Sequence, residues 1–361
     1  MVKKTLQPKR YKTIFVNILL LTGSIFIFFL LAEGVIRLVM PTSVKLRAMH
    51  KPDERLGYRL SPNYEMRHQA SDFDIFIRIN SEGLRDYEHP RYKDPEVFRI
   101  LVLGDSFTFG VGVNVEDSYP KLLETLLNQN PIGGGPKKYE VINAGIEGYG
   151  TEQEYSYLKE LGNRYKPDLV IVGLYSNDIH DVMKGIPKAY GQTWLKKHFY
   201  VTSYLRGLQI SMGIMFRDPR TGIFQIYQKD VYPPQFENAL QKTKEYLTKI
   251  RDLSNSRGAS TLIMIIPSCF EIDGSEFEKR GFGRLYSDDF FNKNMSKFSE
   301  IFTEFGKMNE IFTLPLLSIF RNSKVKPLYF THDPHWTKEG HKLAAESIYN
   351  FLKEKGLHKR K

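Results

Sequence analysis

Residues Arg99-Ile100-Leu101-Val102-Leu103-Gly104-Asp105-Ser106-Phe107-Thr108-Phe109-Gly110 open as an apolar run of strand length and break abruptly at Gly-Asp-Ser. A run without alternation is the pattern of a strand buried on both faces of a parallel sheet. The break then puts Ser106 just past the carboxyl end of that strand, where open α/β sheets hold their ligands. Taken alone, a serine there is equally a turn residue or a helix cap. The rest of the chain supplies the context.

From residue 98 onward, strand patterns at 98–104, 139–143, 168–174 and 260–266 alternate with helix patterns near 117–129, 151–164, 235–256 and 337–354. In the first helix Tyr119, Leu122, Leu123, Leu126 and Leu127 recur at helical spacing, and Pro120 falls in the first turn, where proline is tolerated. This alternation predicts an α/β fold, a doubly wound and mainly parallel sheet flanked by helices. Three further stretches then join Ser106 at one sheet edge: Val141–Thr151, Gly173–Asp178 and His332–His341. The glycine-rich loop Pro131–Pro136 lacks the Lys-Ser/Thr of a phosphate loop and reads as a surface connection. Residues 185–234 interrupt the rhythm with Tyr190, Trp194, Phe199, Tyr200, Tyr204, Phe216, Phe224 and Tyr227. A lid, a substrate wall, a satellite cluster and a second membrane contact are all open for that insertion.

Upstream, residues 1–12 carry Lys3, Lys4, Lys9, Arg10 and Lys12 and no acid, which marks a cytoplasmic basic tail. Thr13 to Ala32 form an uncharged apolar run long enough to span a bilayer, and its apolar character continues to Val39. No small-x-small cleavage site ends it, so 13–39 reads as an uncleaved transmembrane anchor with the remainder of the chain outside the cytoplasm. Residues 40–97 form a β-rich juxtamembrane lead-in, with Asp74–Asn80 alternating at period two ahead of a Ser-Glu-Gly turn. A net charge of +11, with its basic residues clustered mainly at the termini, fits an anionic membrane surface or glycan and not nucleic-acid readout. One cysteine, Cys269, excludes an internal disulfide and a cysteine metal cluster.

With all four stretches in view, the chain is similar to the GDSL/SGNH hydrolase family, whose blocks contribute Ser, Gly, Asn and His. Gly104-Asp105-Ser106 matches the first block, Asn143-Ala144-Gly145-Ile146-Glu147-Gly148 the second, Ser176-Asn177-Asp178 the third and Asp333-Pro334-His335 the fourth. The likeness covers about residues 98–350, within a hydrolase domain placed at 98–356, and implies the three-layer, flavodoxin-like arrangement of that family. It implies Ser106 as nucleophile, His335 as its base and Asp333 as the acid orienting the imidazole. The implied oxyanion hole comprises the amides of Ser106 and Gly148 and the side chain of Asn177, with Gly145 as the second choice for the glycine. Asp105 reads as a brace of the nucleophile turn, and His332 and His341 as structural or surface residues.

The acid stands two residues before the base here, whereas the plain family has three, a position that His332 occupies in this chain. The Asp-x-His-Trp form resembles the branch that contains extracytoplasmic enzymes of polysaccharide O-acetylation. The expected function is therefore a membrane-anchored serine esterase or acyltransferase acting, without metal or other cofactor, on acyl esters of envelope carbohydrate. A lipid-ester hydrolase and a non-catalytic tethered glycan-binding protein are the alternatives. Expected partners are the acylated carbohydrate or lipid ester and the bilayer through 13–39; no oligomeric state is legible.

Overall fold

The computed structural model describes residues 8–39, 45–46, 48–187, 199, 201, 226, 231–272 and 296–359. The chain divides into two compact units, Met1–Ala48 with Gly191–Arg217, and Met49–Tyr190 with Asp218–Lys361. In the first, helix α1 (Pro8–Val39) contains a segment, Lys12–Val39, long and apolar enough to cross a membrane, and its apolar window is unburied. Near its end Glu33 accepts from Arg37 Nε at 2.8 Å and from the Val201 amide at 3.0 Å, while the Phe29 and Phe199 rings lie 5.0 Å apart. The other aromatic residues singled out between 185 and 234 lie outside the described residues.

The second unit begins with two antiparallel hairpins, β1 (His50–Asp53) with β2 (Gly57–Leu60) and β3 (Glu65–Gln69) with β4 (Asp74–Arg78). The main sheet follows, built from β5 (Val97–Gly104), β6 (Lys138–Asn143), β7 (Leu169–Leu174), β8 (Ser260–Ile265) and β9 (Phe312–Pro315). All its pairings are parallel and the order is β6-β5-β7-β8-β9. Every residue of β5, β7 and β8 is buried, as the unbroken apolar runs require. The helices are α2 (Ser106–Phe109), α3 (Tyr119–Gln129), α4 (Thr151–Tyr165), α5 (Asn177–Lys184), α6 (Pro234–Asn255), α7 (Cys269–Ile272), α8 (Lys297–Met308), α9 (Leu317–Asn322) and α10 (Lys338–Lys355). Among these α3 packs on α10 and β6, and α4 and α5 pack on α6.

The chain leaves β5 for β6 on one side and β7 on the other, so the direction of winding reverses at β5. A doubly wound sheet opens a crevice at that reversal, between the ends of β5 and β7. Ser106 follows β5 and Asn177 follows β7. Several elements lie beyond the sequence expectation, among them β9 and the helices α5, α7, α8 and α9. Strand β9 is a four-residue, partly exposed strand at the sheet edge, too short to declare a period. Helix α8 does carry a signal, Phe298, Phe302 and Phe305 at helical spacing, all buried.

The loop after β6 is drawn tightly under α2. The Ala144 amide donates to Val102 O at 2.8 Å and the Ile146 amide to Gly104 O at 3.0 Å, extending the β5–β6 ladder into the turn. Between them Gly145 sits where an added Cβ would lie 2.3 Å from the Phe109 nitrogen and 2.6 Å from the Thr108 carbonyl carbon. Both obstacles are backbone and cannot rotate away. Gly145→Ala is expected to destabilise the chain by about 2–3 kcal/mol, the upper range for overpacking, read as a lower denaturation midpoint at unchanged m-value.

Candidate active site

Asp105 is the N-cap of α2 and accepts from the Phe107 amide at 2.9 Å, an Asx-type bond that turns the chain sharply at the end of β5. Ser106 thereby opens the helix and is half-buried. The far end of this short helix is held from the lead-in. The fully buried Arg85 donates to the carbonyls of Phe109, Gly110 and Val113 at 2.7, 2.6 and 2.5 Å and lies over the Phe109 ring. Burial pulls this guanidinium down to about 10, which still leaves it cationic at neutral pH, where it complements the negative end of α2.

His335 arrives from the loop ahead of α10. Its Nε2 lies 2.7 Å from Ser106 Oγ and its Nδ1 lies 2.5 Å from Asp333 Oδ1. The same Asp333 oxygen accepts from the His335 amide at 2.9 Å. The two-residue spacing of acid and base thus forms an Asx turn, in which one carboxylate oxygen holds both the backbone and the ring of the histidine. Burial raises the Asp333 carboxyl, but the His335 ring and amide more than offset this and hold it below its ordinary value. The Phe107 ring lies 5.0 Å from the imidazole and 5.0 Å from the fully buried Trp336. His332 instead pairs with Asp72, and the buried His341 accepts from the Tyr119 amide at 3.2 Å. Burial lowers His341 to about 3, so it stays a neutral packing residue.

Two backbone donors near Ser106 are open. Among the described residues no acceptor is bonded to the Ser106 or Gly148 amides, whereas the Gly145 amide is already engaged with Asn143 Oδ1 at 3.0 Å. Gly148 is exposed and takes a left-handed φ of 73°, which a side chain would strain. Its peptide unit is fixed from the lead-in: Tyr58 Oη donates to Glu147 O at 2.6 Å, the carbonyl of the peptide whose N–H belongs to Gly148. Asn177, the first residue of α5, has its side chain beside the Asp105 carboxyl. An amide nitrogen carries two protons that can be offered to a ligand.

Around the site lie carboxyls to which the motif reading gives no catalytic role. Desolvation raises Asp178 and Glu154 well above their ordinary values, with neighbouring acids adding to the shift, and raises Glu147 against the pull of His335 and Arg85. Asp105 is pushed up to about 6 by burial, against the Phe107 amide, the His335 charge and the Asn177 side chain. Tyr58, Asp72 and Arg85 contact the site without motif spacing, and only the fold reveals them.

A family profile described as the GDSL-like Lipase/Acylhydrolase family matches residues 102–343, a span that contains Ser106, Gly148, Asn177, Asp333 and His335. The chain belongs to this family. An arylesterase of Vibrio mimicus is 35% identical over 80 residues, 22% of this chain and 38% of that protein. An uncharacterized protein of Mycoplasma pneumoniae is 34% identical over 95 residues, and the chain spans only 10% of it. Among solved structures, an acetyl xylan esterase is 18% identical with a TM-score of 0.43, covering 71% of this chain and 100% of its own. An esterase of Pseudoalteromonas sp., in a structure inhibited by monoethylphosphonate, is also 18% identical, with a TM-score of 0.39 and coverage of 71% and 97%.

The buried carboxyls of this GDSL-family chain make stability depend on pH. Glu154 binds its proton more tightly folded than unfolded, so its contribution is complete below its unfolded value of 4.5 and is lost as pH rises toward the folded value. Glu154→Gln keeps the shape without the ionisation. It is expected to flatten the decline of unfolding free energy above pH 4.5, so that the variant gains on the wild type toward alkaline pH in denaturant titrations.

Proposed function

We propose that the chain is a serine esterase or acyltransferase that works through an acyl-Ser106 intermediate. The observation that carries this reading is the continuous hydrogen-bonded relay from Ser106 Oγ to His335 Nε2 at 2.7 Å and from His335 Nδ1 to Asp333 at 2.5 Å. In the first half-reaction Ser106 Oγ attacks the ester carbonyl while His335 takes its proton. Asp333 holds the tautomer that presents Nε2 to the serine and stabilises the imidazolium that forms. The negative charge on the carbonyl oxygen is met by the Ser106 and Gly148 amides and the Asn177 side chain. His335 then returns the proton to the departing alcohol as the carbon–oxygen bond breaks. In the second half-reaction water or a sugar hydroxyl attacks the acyl-serine, with the same imidazole as base; the acceptor decides between hydrolysis and transfer.

The favoured substrate is an O-acetyl or other short acyl ester of cell-envelope carbohydrate. Its support is the Asp-x-His-Trp resemblance together with α1, whose preceding basic residues favour a cytoplasmic N-terminus and an extracytoplasmic catalytic unit. The same helix favours one competing substrate class, lipid esters, because it would hold the site beside acyl chains.

The full chain in detergent, given p-nitrophenyl esters of increasing length, tests both. Turnover of the acetyl ester is expected, with kcat reduced on the order of 10³-fold or more in Ser106→Ala. Asn177→Ala is expected to lose about 10²–10³ in kcat at nearly constant KM, the loss of one oxyanion donor. Preference for long chains assigns the lipid substrate. Absence of turnover, with no adduct from an organophosphonate, rejects the enzyme in favour of a binding role.

A further inference from the structure

We propose that Asp72, at the turn between β3 and β4, is a positioning residue for the Asp333–His335 pair; this rests on the catalytic reading above. Asp72 lies outside the family match at 102–343. Its Oδ2 accepts from two consecutive amides, those of His332 at 2.7 Å and Asp333 at 2.9 Å. Its Oδ1 meets the His332 ring nitrogen at 2.8 Å. One carboxylate thus ties two successive backbone units to a side chain, and the second unit is that of the acid itself.

The surroundings make this tie decisive for geometry. Residues 331–335 form irregular bends with no helix or strand to fix them. The loop is closed at its base by the Phe330 amide donating to His335 O at 3.0 Å and by the bridge between Tyr329 and Trp336. Within the loop Asp72 holds the backbone of the acid. Asp333 then commits one oxygen to both the amide and the ring of His335, so displacement of its backbone moves the imidazole away from Ser106 Oγ.

Asp72 is itself rigidly mounted. The Ala70 amide donates to Phe73 O at 2.9 Å across the hairpin turn, and the Phe73 ring lies 5.0 Å from His68 and 5.5 Å from Phe330. The Asp72 side chain is 10% exposed under a His332 ring that is 72% exposed, so the imidazole shields the carboxylate from solvent. Burial raises the Asp72 carboxyl, but the His332 ring and the two amides outweigh it and keep the acceptor ionised below the ordinary range. Asp72 touches no reacting atom. Its role is exerted through the acid.

The test uses the full chain in detergent with p-nitrophenyl acetate and four variants: Asp72→Ala, Asp72→Asn, Asp72→Glu and Ser106→Ala. Asparagine keeps an oxygen for the two amides and an NH2 group beside the His332 ring nitrogen, so it should rescue what alanine loses. The expectation is a kcat reduced by about 10–100-fold in Asp72→Ala, with KM within about twofold, and recovery to within about threefold of wild type in Asp72→Asn, since an ångström of misplacement costs that much. Wild-type kcat in Asp72→Ala overturns the proposal, as does an equal loss in Asp72→Ala and Asp72→Asn with a lowered unfolding midpoint in both. Should the alanine variant not fold, Asp72→Glu decides: reduced kcat at an unchanged midpoint upholds the role, and wild-type kcat removes it. Turnover near the wild-type level in Ser106→Ala would instead reject the catalytic reading; a loss there on the order of 10³-fold or more with unchanged Asp72→Ala rejects the role of Asp72 alone.

Discussion

The 2.7 Å contact between Ser106 Oγ and His335 Nε2 joins residues 229 positions apart, and the architecture serves to keep that distance short. Neither residue lies inside a long regular element. Ser106 sits at the start of a four-residue helix and His335 in a loop of bends. Short helices and loops do not hold ångström geometry by their own hydrogen bonds. The precision is imported from the buried strand β5, which fixes the start of α2, and from Trp336, wholly buried beside His335 with its ring 5.1 Å from Phe320 and 6.1 Å from Tyr119.

A second source of precision is the stretch between α1 and β5. Tyr58 fixes the Glu147–Gly148 peptide, Asp72 the amides of His332 and Asp333, and Arg85 the carbonyl end of α2. Asp86 adds a fourth tie, accepting from the Asn143 amide at 2.7 Å and pairing with Lys121 at 3.0 Å, at the point where β6 gives way to the glycine loop. All four side chains are on a segment outside the family match and reach the loops that bear the motif residues. A segment that reads in the sequence as a β-rich juxtamembrane lead-in therefore supplies much of the shell around the site.

That division explains what could be read from the chain in advance. The sheet was legible because β5, β7 and β8 are buried on both faces and their apolar runs have no other use. The serine and asparagine stretches were legible because each follows such a strand, and the histidine stretch because it leads into helix α10. Asp72 was not, since its partners are 260 and 261 positions away and an Asp before an alternating strand is an ordinary turn residue. Arg85 was hidden for a related reason. Its acceptors are backbone carbonyls, which leave no mark in a sequence. Gly145 and Gly148 differ in contacts that the sequence does not show: Gly145 lies against the backbone of α2 with its amide engaged, and Gly148 is exposed with its amide open.

The placement of charge completes the physical account. The proposed reaction gathers negative charge on the carbonyl oxygen and positive charge on His335, so nearby carboxylates act with opposite signs on the two. Asp333, held ionised against the imidazole by direct hydrogen bonds, stabilises the cation. Ionised Glu154 and Asp178, around the Asp105–Asn177 corner, would oppose the anion. Burial opposes this, because desolvation raises both, with Asp105 adding to each shift and Glu154 adding to that of Asp178. The acid exposed to its partner is held below its ordinary value, the acids enclosed behind the proposed oxyanion donors are raised above theirs, and the two opposite shifts suit a reaction that separates charges of both signs.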